Sequence, residues 1–198
     1  MSKVLKSIML VFVFGVGIHA SAQKLDLALT VGGYHPVNNG FSSDNAFAIE
    51  GNIGARLASV PFLALYLEVP IAGTLDSTVP VSTLTSAGTY SSIFVAPGLR
   101  LKFAPGFPIS PYIATGGGLA HFSRSASQTP AGASASVNKG VWDIGGGVDV
   151  KIAPFLGLRG EVRDFYSGSP ELRISQVTGT FNDRQHNILF TGGLVVRF

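Results

Sequence analysis

The 198-residue chain contains no cysteine, only 13% charged residues, and no apolar run long enough to cross a bilayer as a helix. Without cysteine there is neither a disulfide framework nor a lipid-modified N-terminal cysteine. The longest apolar run, Ile8 to Ile18, is well short of the ~20 residues a helical span needs. A soluble domain usually carries about twice this charge. Either the interior is unusually apolar or the exterior faces lipid. The net charge of +3 includes Lys3 and Lys6. Without those two, 12 basic residues stand against 11 acidic ones, which gives no reason to expect a nucleic-acid partner.

What is present begins with an export signal. Lys3 and Lys6 precede the apolar run, and the small residues Ala20-Ser21-Ala22 follow it. This pattern predicts a signal peptide over residues 1–22, with a mature domain over 23–198 starting at Gln23. In the mature part apolar residues recur with period two. Leu25, Leu27, Leu29 and Val31 alternate with Asp26, Ala28 and Thr30, and the same dyad recurs in "AFAIEGNIGARL", "FLALYLEVPIAG", "SSIFVAPGLRLKF", "GVWDIGGGVDVKI", "GLRGEVRDFY" and "HNILFTGGLVVRF". With "SPYIATGGGLAHF" there are eight segments of transmembrane-strand length. Short Pro-containing turns near Ser59-Val60-Pro61, Ala104 to Pro108 and Ala153 to Phe155 alternate with long polar loops at 35–44, 74–89, 123–139 and 168–184.

The distribution of charge separates the possible folds. Fourteen of the 23 charged residues beyond the signal lie within predicted strands, opposite the aliphatic face: Lys24, Asp26, Glu50, Arg56, Glu68, Arg100, Lys102, Asp143, Asp149, Lys151, Arg159, Glu161, Arg163 and Arg197. Asp164 breaks the pattern. A soluble periplasmic β protein permits the dyad alone. A lipid-embedded barrel also accounts for the signal, the loop asymmetry and the low charge, because backbone groups in lipid must pair strand to strand and close. The expected fold is therefore all-β: an eight-stranded antiparallel transmembrane β-barrel with up-and-down meander order. Aromatics of lipid parity fall at the two rims, with Phe47, Trp142 and Tyr166 toward the long loops and Phe103 and Phe198 toward the short turns. Pro97 and Pro70 fall within strands, where a missing N–H marks a bulge or an interruption.

The C-terminal "LFTGGLVVRF" closes an alternating strand on Phe198. In this the chain resembles the small OmpA-like outer-membrane β-barrels, whose last strand ends in an aromatic residue. The resemblance implies that Leu194, Val196 and Phe198 form the signal read by the barrel-assembly machinery. It also implies a bacterial outer-membrane location, with the outer-membrane lipid as surroundings. A monomer is expected, and no cofactor.

Eight strands enclose a space that side chains fill, and charges buried there must pair. Glu50, Glu68 and Glu161 are the candidates to pair with Arg100, Arg159 and Arg163, and Asp149 is expected in the same luminal network. Such a plug implies a structural or surface-interaction protein without catalytic activity. A narrow pore for small solutes is one alternative.

A second alternative arises from "TGGGLAHFS", Thr115 to Ser123. The glycines are not a phosphate loop, because no helix and no Lys-Ser/Thr pair follows. They, and Gly145-Gly146-Gly147 on the next strand, are expected to lie side by side and make room for large neighbours. His121 and Ser123 share a parity, and a histidine can activate a hydroxyl. The pair resembles the His-x-Ser of outer-membrane lipid A deacylases, which implies His121 as base and Ser123 as nucleophile. That family needs an orienting Glu, whereas Ser125 to Val137 holds no acid and Asp143 has inward parity. His35 and His186 show no ligand spacing, so no metal site is expected.

Overall fold

The alternation of apolar and polar residues is realised as strands. The computed structural model describes residues 25–38, 41–42, 46–79, 88–124, 136–168 and 184–198, so Lys24 and the expected signal peptide lie outside the described residues. The elements are β1 (Leu25–Asn38), β2 (Phe41–Ser42), β3 (Ala46–Val60), β4 (Leu63–Val79), β5 (Gly88–Val95), β6 (Gly98–Phe103), β7 (Ile109–Arg124), β8 (Ser136–Lys151), β9 (Leu156–Gly168) and β10 (Arg184–Arg197). β5 and β6 are two halves of one wall strand, each pairing with both β4 and β7, and β2 only extends the end of β1. Eight antiparallel wall strands follow in sequence order, and β10 pairs back to β1 to close the barrel.

One row of residues fixes the geometry. The ladder runs from Asn187 through Phe165, Asp143, Gly116, Gly98, Glu68, Gly54 and Asp26, and returns to β10 at Arg197. The path comes back ten residues away from its start, which is the shear of the barrel. Eight strands with that stagger tilt by about 40°. The ten-residue step from Leu156 to Tyr166 then spans about 25 Å along the axis, the height of an outer-membrane apolar band.

The interruption at Ala96–Pro97 has the cause expected of Pro97. With no N–H to give, Pro97 leaves the ladder while its carbonyl accepts from Gly117 N–H (3.1 Å). Pro70 faces the same gap, its carbonyl accepting from Ala96 N–H (3.4 Å), and does not break β4.

Four expectations are corrected. The wall strands climb into segments expected to be loops: β1 reaches Asn38, β4 reaches Val79, β8 begins at Ser136 and β10 at Arg184. The sequence underestimated them because polar residues at a barrel's water-exposed ends still complete the ladder. Lys151, expected inside, is exposed at the short-turn end. Arg56 is only partly buried, toward the short-turn end of β3, where the β3–β4 register shifts just after it. Finally, the two glycine runs are staggered rather than side by side, since Gly116 pairs with Asp143 and Gly145 with Ala114.

Candidate functional site

Inward-pointing residues of the short-turn half and the middle of the barrel form one network of charges. Arg163 on β9 is its hub, with Nη2 donating to Glu68 Oε1 (2.6 Å), Nη1 to Asp143 Oδ2 (2.6 Å) and Nε to Glu161 Oε1 (2.5 Å). Glu50 lies 3.6 Å from the same Nε, and neither of its oxygens has a hydrogen bond. Arg100 spans Asp26 (2.9 Å) and Glu68 (3.4 Å). Asp149 receives Arg159 in a two-point contact (2.8 and 3.1 Å), Arg197 (3.2 Å) and Lys102. Tyr112 donates to Glu161 (2.6 Å), and the Arg159 and Arg100 guanidiniums lie over the Tyr112 and Tyr66 rings at 4.9 and 4.7 Å. Bidentate and charge-assisted bonds of this kind are what make buried ions tolerable.

Glycine makes the network fit. A Cβ on Gly54 would stand 2.5 Å from Arg100 Nη2, and one on Gly147 would stand 2.5 Å from the Tyr112 hydroxyl. The stagger of the two runs matters less than their inward members, which accept side chains against bare backbone.

Toward the loop end the lumen changes character. Tyr34, Phe94, Phe122, Val141, Phe165 and Leu189 are buried together with Ala48, Ala72, Ala96 and Ala120. Phe94 stacks on Phe165 (centroids 4.9 Å) and meets Phe122 edge-on (5.8 Å). The Tyr34 hydroxyl donates to Asn187 (2.7 Å). On β9, Phe165 lies two residues loopward of Arg163, and on the β5–β6 wall strand Phe94 lies loopward of Arg100, so this apolar layer caps the ionic one. Sequence reasoning missed it, although the signal was available: Phe94 and Phe165 carry the same parity as Arg100 and Arg163.

The structure therefore brings Glu50, Glu68, Arg100, Asp149, Arg159, Glu161 and Arg163 together, but distributes them differently from the expected pairing. Glu50, Glu68 and Glu161 all meet Arg163, while Arg159 belongs to Asp149. Phe47, Trp142, Phe103 and Phe198 are exposed on the outer wall, with Tyr166 partly so. Leu194 is exposed on the same face, and Val196 partly.

His121 and Ser123 both have outward parity, which settles the phase of β7. His121 Nδ1 lies 2.6 Å from Asn138 Oδ1 on β8, and Ser123 Oγ lies 3.0 Å from Ser91 Oγ on β5. Asp143 points inward to Arg163. Among the described residues no acid is bonded to His121. Asp164, the residue that broke the parity pattern, has a partner: His186 Nδ1 is 2.6 Å from Asp164 Oδ2, while Asp164 Oδ1 accepts from Asn187 N–H (3.1 Å). No group of three or more potential metal ligands occurs among the described residues.

No family model matches the chain, and no curated protein is significantly similar in sequence. Solved structures do match. Neisserial surface protein A gives a TM-score of 0.58 at 14% identity, covering 88% of this chain and 97% of that one. OprG from Pseudomonas aeruginosa gives 0.58 at 12%, covering 89% and 96%. Ail, the attachment invasion locus protein of Yersinia pestis, gives 0.53 at 14%, covering 89% and 99%. At these identities the likeness is one of fold, and the fold is that of the small bacterial outer-membrane β-barrels.

Proposed function

We propose that this small outer-membrane β-barrel is a closed, monomeric scaffold whose working surface is its loop end and outer rim rather than its lumen. The observation that carries this reading is the double filling of the interior, in which an ion-pair network is capped by the Phe94–Phe165–Phe122 cluster. Ions entering from the loop side would meet an apolar constriction first, and then a set of charges already paired with one another. A structural or surface-interaction role follows, with the long loops carried on a rigid wall. Binding functions on loops of rigid scaffolds are common.

The test is planar-bilayer recording of the purified protein, with folding checked by altered gel mobility on boiling. Absence of discrete conductance steps is expected. Reproducible single-channel steps from the folded fraction would replace this reading with that of a narrow pore. In the same reading, Phe198 and its outward neighbours Leu194 and Val196 serve the assembly machinery during insertion.

A further inference from the structure

His121, Ser123, Ser91, Asn138 and Ser136 lie on one outward face at the loop end of β5, β7 and β8. The register sets Ser91 opposite Ser123 and Ser123 opposite Ser136 in one row, with Ile93, His121 and Asn138 in the row beneath. Asn138 is four residues loopward of Trp142 on β8. At the barrel's rise and tilt this sets His121 roughly 7–10 Å beyond the Trp142 level, where polar headgroups lie.

The partner of the imidazole decides its chemistry. Asn138 Oδ1 accepts from His121 Nδ1–H, which leaves Nε2 as the free nitrogen. A carboxylate in that position would compensate an imidazolium and favour proton abstraction, as in Asp–His pairs. A neutral amide holds the ring equally well but leaves its positive charge uncompensated when Nε2 gains a proton. His186 is the opposite case on the same barrel, since its Nδ1 faces the Asp164 carboxylate. Among the described residues, the groups paired with His121 add no negative charge: Ile93 faces it from β5, Asn138 from β8, and the adjacent charged residue on β8 is Lys139. The hydroxyls of Ser91 and Ser123 share one hydrogen bond between them, so further donor and acceptor capacity remains in the row above.

We propose that this patch binds the phosphate headgroup of an outer-leaflet lipid, with His121 Nε2–H as its protonation-dependent donor and the serine row as neutral donors. The proposal goes beyond the scaffold reading, since it concerns the wall and not the loops, and it survives if the lumen proves to conduct. Donation from Nε2 requires the imidazolium, so retention of the lipid falls as pH rises. The lipid phosphomonoester itself gains negative charge as pH rises, so a fall in binding must come from the protein.

The experiment is native mass spectrometry of the folded barrel in zwitterionic detergent doped with equal amounts of phosphatidic acid and phosphatidylcholine, at pH about 5.5 and about 8. Phosphatidic acid is expected to be retained about ten-fold more at the lower pH, the size of one charge-assisted hydrogen bond. His121→Gln abolishes that pH dependence, His186→Gln keeps it, and Ser123→Ala weakens retention at both pH values. No lipid preference in the unmodified protein, a preference that persists in His121→Gln, or an equal loss in His186→Gln each overturns the proposal. Displacement of the lipid by millimolar inorganic phosphate overturns the lipid assignment.

Discussion

Arg163 on β9 and Glu68 on β4 meet at 2.6 Å across the lumen, from opposite walls of the barrel and 95 residues apart in sequence. The contact ties distant strands together through the interior, and three further carboxylates depend on the same guanidinium.

Arg163→Met is therefore expected to cost about 3–5 kcal/mol, because it leaves buried carboxylates unpaired. Glu50→Gln is expected to be close to neutral or stabilising, since Glu50 has no hydrogen bond to lose and crowds the same charge as its neighbours. Urea-dependent folding into lipid vesicles measures both. Equal losses for the two variants would refute the hub.

In the scaffold reading proposed above, each of the two luminal layers blocks the barrel by itself. Phe94→Ala removes the ring shared by Phe122 and Phe165 and is expected to cost about 3–5 kcal/mol, while leaving bilayers silent because the ionic layer stands. Combining Phe94→Ala with Arg163→Ala is expected to admit current. Conductance from Phe94→Ala alone would mean that the charges do not seal.

Gly147→Ala places a Cβ 2.4 Å from the Gly160 carbonyl and 2.5 Å from the Tyr112 hydroxyl, whereas Gly160→Ala meets nothing within 4 Å. Overpacking of about 1–3 kcal/mol is expected for the first, and little change or a small gain for the second. Matched refolding titrations decide it, and a reversed order contradicts the packing described.

The outer wall gives a depth-dependent result. Val162→Arg, at mid-wall, is expected to cost about 2–4 kcal/mol, and Val37→Arg, at the loop rim, about 0–1. Both side chains face outward. If the two costs match, the band between the aromatic rims is not where the lipid lies.

Much of this was legible in the sequence, for a definable reason. A two-residue period fixes which face each side chain takes, so Leu27 falls opposite Asp26 and Val162 opposite Arg163. Partners were harder to read. Arg159 chose Asp149, directly opposite on β8, over the glutamates, because register and not parity selects neighbours. The apolar cap was overlooked because aromatics in a membrane barrel suggest rims, and Phe94 sits beside outward Ile93 in an apolar run. His121 could not be oriented because its strand holds no charged residue before Arg124 to set the phase, and Asn138 lay within a segment expected to be a loop.

The pairing of β10 with β1 leaves the wall without a terminal strand. A sheet with edges can lose its outermost member at the expense of a single ladder, and so fray gradually from one side. Here the removal of any wall strand breaks ladders on both flanks, and the removal of β4 or β9 also withdraws a charge from its partner across the lumen. Loss of structure is accordingly collective. The folded wall should remain fully formed up to the conditions at which it is lost altogether, and variation in the connecting loops can accumulate without reaching it.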